Sequence, residues 1–141
     1  MQNRKAILST LWIFTVLNYL YCDVVGLMDS GMLSQYMSGE VNGMAMTQGF
    51  LLAAIILMEI PTGMILLSRV LPYKSNRWAN IVAGVIMTVV QMGTLFAGSS
   101  TGYYLFASAI EIAATAFIVW YAWTWRQPQS DSQQDKELAA A

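Results

Sequence analysis

Four long apolar runs, parted by short polar stretches, leave this chain few folds to choose from. A helix needs roughly 20 mostly apolar residues to cross the hydrocarbon core of a bilayer. Stretches of that kind run from about 6 to 28, 45 to 71, 78 to 98 and 102 to 125. Only 11% of the 141 residues are charged and 57% are hydrophobic, whereas a soluble domain carries about 25% charged residues. Within lipid, a segment this long satisfies its own backbone as a helix. The expected fold is all-α: a polytopic four-helix membrane bundle over residues 1–126, with a polar, disordered cytoplasmic tail at 127–141. The first run is longer than a signal-peptide core and has no small-x-small cleavage site, so it reads as a retained helix.

Basic residues set the expected orientation. Arg4 and Lys5 precede the first span, Arg69, Lys74 and Arg77 lie between the second and third, and Arg126 and Lys136 follow the fourth. These are all seven Lys and Arg. With antiparallel spans they share one side, which the positive-inside rule makes cytoplasmic, so both termini are expected inside. Aromatics are arranged in the same sense. Trp78, Trp120, Tyr121, Trp123 and Trp125 crowd the basic side, and Tyr19, Tyr21, Tyr103 and Tyr104 lie toward the other interface. A net charge of −1 offers no basic surface for nucleic acid.

The outer connection from Asp29 to Gly43 carries its own helical signal. Asp29 can cap a short helix over about 30–38, and Gly39 can end it. Met32, Leu33, Tyr36 and Met37 then fall at helical spacing, as suits an amphipathic helix at the interface. Pro72 makes the cytoplasmic turn between the second and third spans tight. Cys22 is the single cysteine and histidine is absent. That excludes an internal disulfide, His-ligated haem and any imidazole base. No cofactor is expected.

Each span carries one polar stripe at helical spacing. Thr15, Asn18 and Cys22 form it on the first; Gln48, Glu59 and Thr62 on the second; Asn80, Gly84, Thr88 and Gln91 on the third. Tyr104, Ser108, Glu111 and Thr115 form it on the fourth. Lipid offers no hydrogen bonds, so the four stripes are expected to face one another. Counting about 1.5 Å per residue from the basic side places Glu59 at ~15 Å, Asn18 and Gln91 at ~20 Å and Glu111 at ~22 Å. These four are expected to converge just beyond the midplane. Asp23 is shallower, about 140° round its helix from Asn18, and shares a face with Tyr19.

A carboxylate deep in a bilayer costs roughly 2.5–3.5 kcal/mol on insertion scales and is kept where it faces protein or a wet cavity. Glu59, Glu111, Asn18, Gln91, Thr115, Gln48 and Asp23 are therefore the candidate ligand- or proton-binding residues. One reading makes the acids a proton- or cation-linked site. Another makes them helix glue, protonated and bonded to Asn18 or Gln91, at about 0.6 kcal/mol per bond. A third makes Glu59 and Glu111 the acid and base of a membrane enzyme acting on a lipid or isoprenoid. Pro61, two residues after Glu59, should kink its helix and free the Leu57 carbonyl. Met28, Met32, Met37, Met44 and Met46 supply thioethers of the kind that select Cu(I), which makes soft-metal handling a fourth reading. Gly49/Ala53, Ala79/Ala83 and Ala109/Ala113 have the spacing that permits close helix packing, within one bundle or with a second copy.

The stretches LSTLWIFTVLNYLYCDVVGLMD (8–29), TQGFLLAAIILMEIPTGMILLSRVLP (47–72), NRWANIVAGVIMTVVQ (76–91) and IEIAATAFIVWYAW (110–123) resemble a family of small bacterial four-span membrane proteins of unknown function. The resemblance covers nearly everything from residue 6 to 125. It implies a bacterial inner-membrane protein and supplies no activity or catalytic residues. In size and topology the chain is also similar to DoxX-like proteins. The small multidrug transporters likewise carry a membrane glutamate, but in their first span, where this chain has Asn18. The expected function is binding or transport of a small solute or cation with proton linkage; the alternatives are an accessory subunit, the lipid enzyme and the metal handler. The expected partners are the lipid bilayer, a small-molecule or cationic ligand and a further copy of the chain.

Overall fold

The structure, a computed structural model, describes residues 2–97, 101–126 and 140. The expected tail and Lys136 thus fall outside the described residues, apart from Ala140. Five helices form: α1 (Gln2–Met28), α2 (Ser30–Ser38), α3 (Gln48–Val70), α4 (Tyr73–Ala97) and α5 (Gly102–Trp123). All but α2 are long and apolar enough to cross a membrane. The 23 residues of α3 extend roughly 34 Å, a little more than a hydrocarbon core of about 30 Å.

Local chemistry explains the connection between α1 and α3. The Asp29 carboxylate accepts from the amides of Gly31 at 2.8 Å and Met32 at 3.2 Å, which starts α2. Gly39 ends it in the left-handed region, at φ 78°. The chain then makes a small antiparallel hairpin of β1 (Glu40–Val41) and β2 (Met44–Ala45). Its turn is Asn42-Gly43, at φ 50° and 78°. Two successive positive φ values are what a two-residue primed turn demands, and Asn-Gly supplies them. The expected helix over about 30–38 ending at Gly39 is present; the hairpin that follows it is an element not assigned from the sequence. The Thr47 hydroxyl then caps α3 by accepting from Phe50 N at 3.2 Å.

The spans form a ring in the order α3, α1, α5, α4, with α3 and α4 touching least. Both described chain ends and the Leu71–Pro72 connection lie at one end, called here the terminal end; α2 and the hairpin lie at the other, the hairpin end. The terminal end is filled. Leu8, Trp12, Met64, Ile118, Ala122 and Trp125 are buried there. Among them runs a polar network around Asn80. Its Oδ1 accepts from Trp12 Nε1 at 2.7 Å and Ser68 Oγ at 3.1 Å. Its Nδ2 donates to Asn76 Oδ1 at 2.7 Å, while Asn76 Nδ2 donates to the Ser68 carbonyl at 2.6 Å. The network ties α1, α3 and α4 together and leaves no donor idle, the condition under which buried polar groups specify a packing. Basic side chains rim this end: Lys5 donates to the Leu71 carbonyl at 2.6 Å, Arg4 lies over the Tyr121 ring, and Arg77 donates to the Trp123 carbonyl. Trp125, expected at the interface, is instead buried against Tyr73, whose hydroxyl donates to its carbonyl at 2.6 Å.

The closest helix contact is between α4 and α5, at Gly84. A Cβ there would lie 2.6 Å from Val119 Cγ2 and 3.3 Å from the Thr115 carbonyl. Of the small-residue pairs read from the sequence, Ala79/Ala83 does turn inward, whereas Gly49/Ala53 and Ala109/Ala113 are exposed. The absent Gly84 side chain brings the two stripes together. Thr88 donates to Thr115 at 2.8 Å and Gln91 donates to Ser108 at 2.8 Å.

Candidate functional site

Three of the four polar stripes face the interior in whole or part, and one does not. On α5, Ser108, Glu111 and Thr115 are buried. On α4, Asn80 and Gly84 are buried and Thr88 and Gln91 half-buried. The α3 stripe is turned outward: Gln48, Glu59 and Thr62 are all exposed. The expected convergence of Glu59 on Glu111 is therefore corrected. The reason is visible in α3 itself, where the buried residues are Pro61, Met64 and Ser68. By the helical period Pro61 lies about 160° from Glu59, and the bundle packs on the proline side. Helix α3 continues past Pro61 to Val70. An acid/base pair of Glu59 and Glu111 is not assembled.

The first stripe needs a second correction. Asn18 sits at the edge of the α1 interface, half-buried, and donates to its own helix at the Phe14 carbonyl, 2.9 Å away. The inward face of α1 is built from Leu8, Trp12, Thr15 and Tyr19, and continuing that spacing by four residues reaches Asp23. Asp23 and Asn18 do occupy different faces; Asp23 continues the Trp12–Tyr19 face beyond the packed part of α1, where its side chain is exposed and lines two cavities. The apolar period through Leu8, Trp12 and Tyr19 was the signal. The amides expected to bond the glutamates bond elsewhere, Asn18 to Phe14 and Gln91 to Ser108. Thr115 accepts from Thr88 across the α4–α5 contact and donates to the Glu111 carbonyl of its own helix at 3.0 Å.

Where the helices separate, toward the hairpin end, two cavities open. The smaller, about 180 Å³, lies between α1 and α3, lined by Val16, Tyr19, Leu20, Asp23, Met58, Pro61 and Thr62. The larger, about 560 Å³, is walled by α3 (Phe50, Leu51, Ala54, Ile55, Met58) and by Thr94, Thr101, Tyr103 and Tyr104. Met32 and Tyr36 of α2, with Val41, Asn42, Met44 and Met46 around the hairpin, roof it. Asp23 lines both, and among the described residues it is the one charged residue lining either. The hairpin that the sequence reading passed over thus forms part of the site; its Asn42-Gly43 turn was the available signal.

The electrostatics centre on the same carboxyl. Burial, then the charges of Asp23 and Tyr103, hold the Tyr36 hydroxyl above its ordinary range. It therefore stays a neutral donor over the cavity. Behind Asp23, and within electrostatic reach of it, lies Glu111. Glu111 is 1% exposed and its Oε1 has no hydrogen-bond partner; the buried Tyr19 hydroxyl, also near Glu111, has none either. Buried polar atoms without partners are rare, and each needs a reason.

The outer methionines divide. Met32, Met44 and Met46 line the larger cavity. Met28 and Met37 are 78% and 83% exposed and line neither. Met58, from the middle of α3, joins the lining and was not anticipated. Among the described residues, no three His, Cys, Asp or Glu side chains gather as a metal site.

No curated protein and no solved structure matches the chain. A family model does, over residues 1–132, and the described part of that stretch holds the four helices long and apolar enough to cross a membrane. The chain belongs to the family of unknown function DUF6326.

Proposed function

We propose that the protein binds a small lipophilic organic cation in the cavity at the hairpin end, with Asp23 as its counter-ion and in competition with a proton. The observation that carries this is the position of Asp23, the single charged residue lining two adjoining cavities. The rest of the lining suits such a ligand. Phe50, Tyr36, Tyr103 and Tyr104 offer ring faces to a cation, and the methionines adapt to irregular apolar shapes. A volume of about 560 Å³ falls inside the ~300–1,000 Å³ usual for small-molecule sites. Proton and cation cannot both occupy one carboxylate, so affinity should fall as pH falls. Among the described residues, Glu111, Tyr36 and Cys22 feel the Asp23 charge, and Tyr19, Tyr103 and Tyr104 share its cavity linings. With the basic rim in the cytoplasm, the cavity would open to the outer face of a bacterial inner membrane. The filled terminal end would close the inner side.

An ion pair at 4 Å is worth ~4 kcal/mol at the effective dielectric of a protein surface, before desolvation is subtracted. Losing it should weaken binding by roughly 10- to 100-fold. Equilibrium binding of tetraphenylphosphonium to the detergent-solubilised protein, wild type against Asp23→Asn, tests this. Equal affinity in the two, or affinity that rises as pH falls, would refute the proposal. A second reading, Cu(I) capture, is favoured by Met32, Met44, Met46 and Met58 sharing the lining. It predicts tight Cu(I) binding that survives Asp23→Asn and is lost when those methionines become leucine.

A further inference from the structure

We propose that the protein is a homodimer joined along the outward face of α3, with Glu59 of each copy meeting its counterpart across a two-fold axis. Glu59 is eleven residues from either end of α3 (Gln48–Val70), so it lies at the middle of the span. It is exposed, and it points away from the proline side on which the bundle packs. Along the same face lie exposed Leu52, Ile56, Leu66 and Val70, with Gly63 half-buried among them. Within a single copy, then, a carboxyl stands against hydrocarbon at the depth where lipid can satisfy nothing.

The chemistry of that group selects the partner. A protonated carboxyl is both donor and acceptor, so it is complementary to itself. A second copy inserted with the same topology carries its Glu59 at the same depth, and a two-fold axis along the membrane normal makes the contact isologous. A different protein would need to bring a polar group to the same depth by coincidence. The site is incomplete without the second copy. Gly63, one turn along, meets nothing within 4 Å of a built Cβ, so it leaves room for the helices to approach.

The same two features separate interface from fold. A Cβ at position 63 meets nothing in the isolated bundle, and Gly63→Leu would hold two α3 helices apart. Glu59→Gln keeps donor and acceptor, whereas Glu59→Leu removes both. Subunit counting by single-molecule photobleaching in liposomes, with circular dichroism to confirm helical content, reads the outcome. Wild type and Glu59→Gln should be dimers. Glu59→Leu should dimerise roughly tenfold more weakly, and Gly63→Leu should be monomeric with helicity unchanged. Oxidative crosslinking in a Cys22→Ser background gives an independent readout: Leu66→Cys should link two copies and Val82→Cys, on the exposed face of α4, should not. A monomeric wild type, a dimeric Gly63→Leu protein, or crosslinking at 82 in place of 66 would each overturn the proposal.

Discussion

Gly84→Ala should destabilise the bundle even though it adds one methyl group to a helix. Carbon atoms pack best at about 3.5–4.0 Å, and the new Cβ would sit 2.6 Å from Val119 Cγ2, an overlap of roughly 1 Å. Val119 is β-branched and holds one strongly preferred rotamer in a helix, so it cannot swing aside cheaply. The second neighbour, the Thr115 carbonyl at 3.3 Å, is backbone. Relief must come from separating α4 and α5, which stretches the 2.8 Å Thr88–Thr115 bond. Overpacking of this kind costs about 1–3 kcal/mol, against a gain of about 1 kcal/mol in helix propensity. The net expectation is a loss of up to ~2 kcal/mol. Gly93→Ala is the control, since nothing lies within 4 Å of its Cβ; it should be neutral or slightly stabilising. Reversible unfolding in mixed SDS micelles, followed by circular dichroism, compares the two. Val119→Ala should restore stability in the Gly84→Ala background. If the two glycine variants prove equally stable, the account of the α4–α5 contact is wrong.

Asn80→Leu removes the acceptor shared by Trp12 and Ser68; with the indole N–H stranded, the same assay should show a loss of about 2–3 kcal/mol, and a loss below that of Gly84→Ala would contradict the network's role. Glu111→Gln should keep wild-type stability to within about 1 kcal/mol, because Glu111 Oε1 has no partner to lose. It should move the pH midpoint of cation binding, and a large loss of stability with an unchanged midpoint would make Glu111 structural. In intact cells lacking Cys22, a membrane-impermeant thiol reagent should label Ser38→Cys but not Ser75→Cys; the reverse pattern would invert the orientation.

Much of the fold was legible because its signals are local. Run length gives the spans, Asp29 and Gly39 give the ends of α2, and Pro72 gives the tight turn. The site was harder, because a polar stripe marks a face without saying what that face meets. The α4 and α5 stripes turn inward because Gly84 lets their backbones approach. The α3 stripe turns out because Pro61, Met64 and Ser68 give the opposite face its packing against α1 and α4. The spacing separates Asp23 from Asn18 and aligns it with Tyr19, but it does not show that the helices part at that level and leave Asp23 exposed on a cavity wall. The cavity itself arises from helix separation and from a hairpin folding over it, and both depend on contacts far apart in the chain.

The most direct measurement is proton release on binding. Tetraphenylphosphonium is added to the detergent-solubilised protein in weak buffer, at the acid side of its binding range, and the pH change is read against a calibrated standard. The account predicts about one proton released per cation bound by wild type, and none from Asp23→Asn. Binding by wild type without release, or equal release from both proteins, would contradict it.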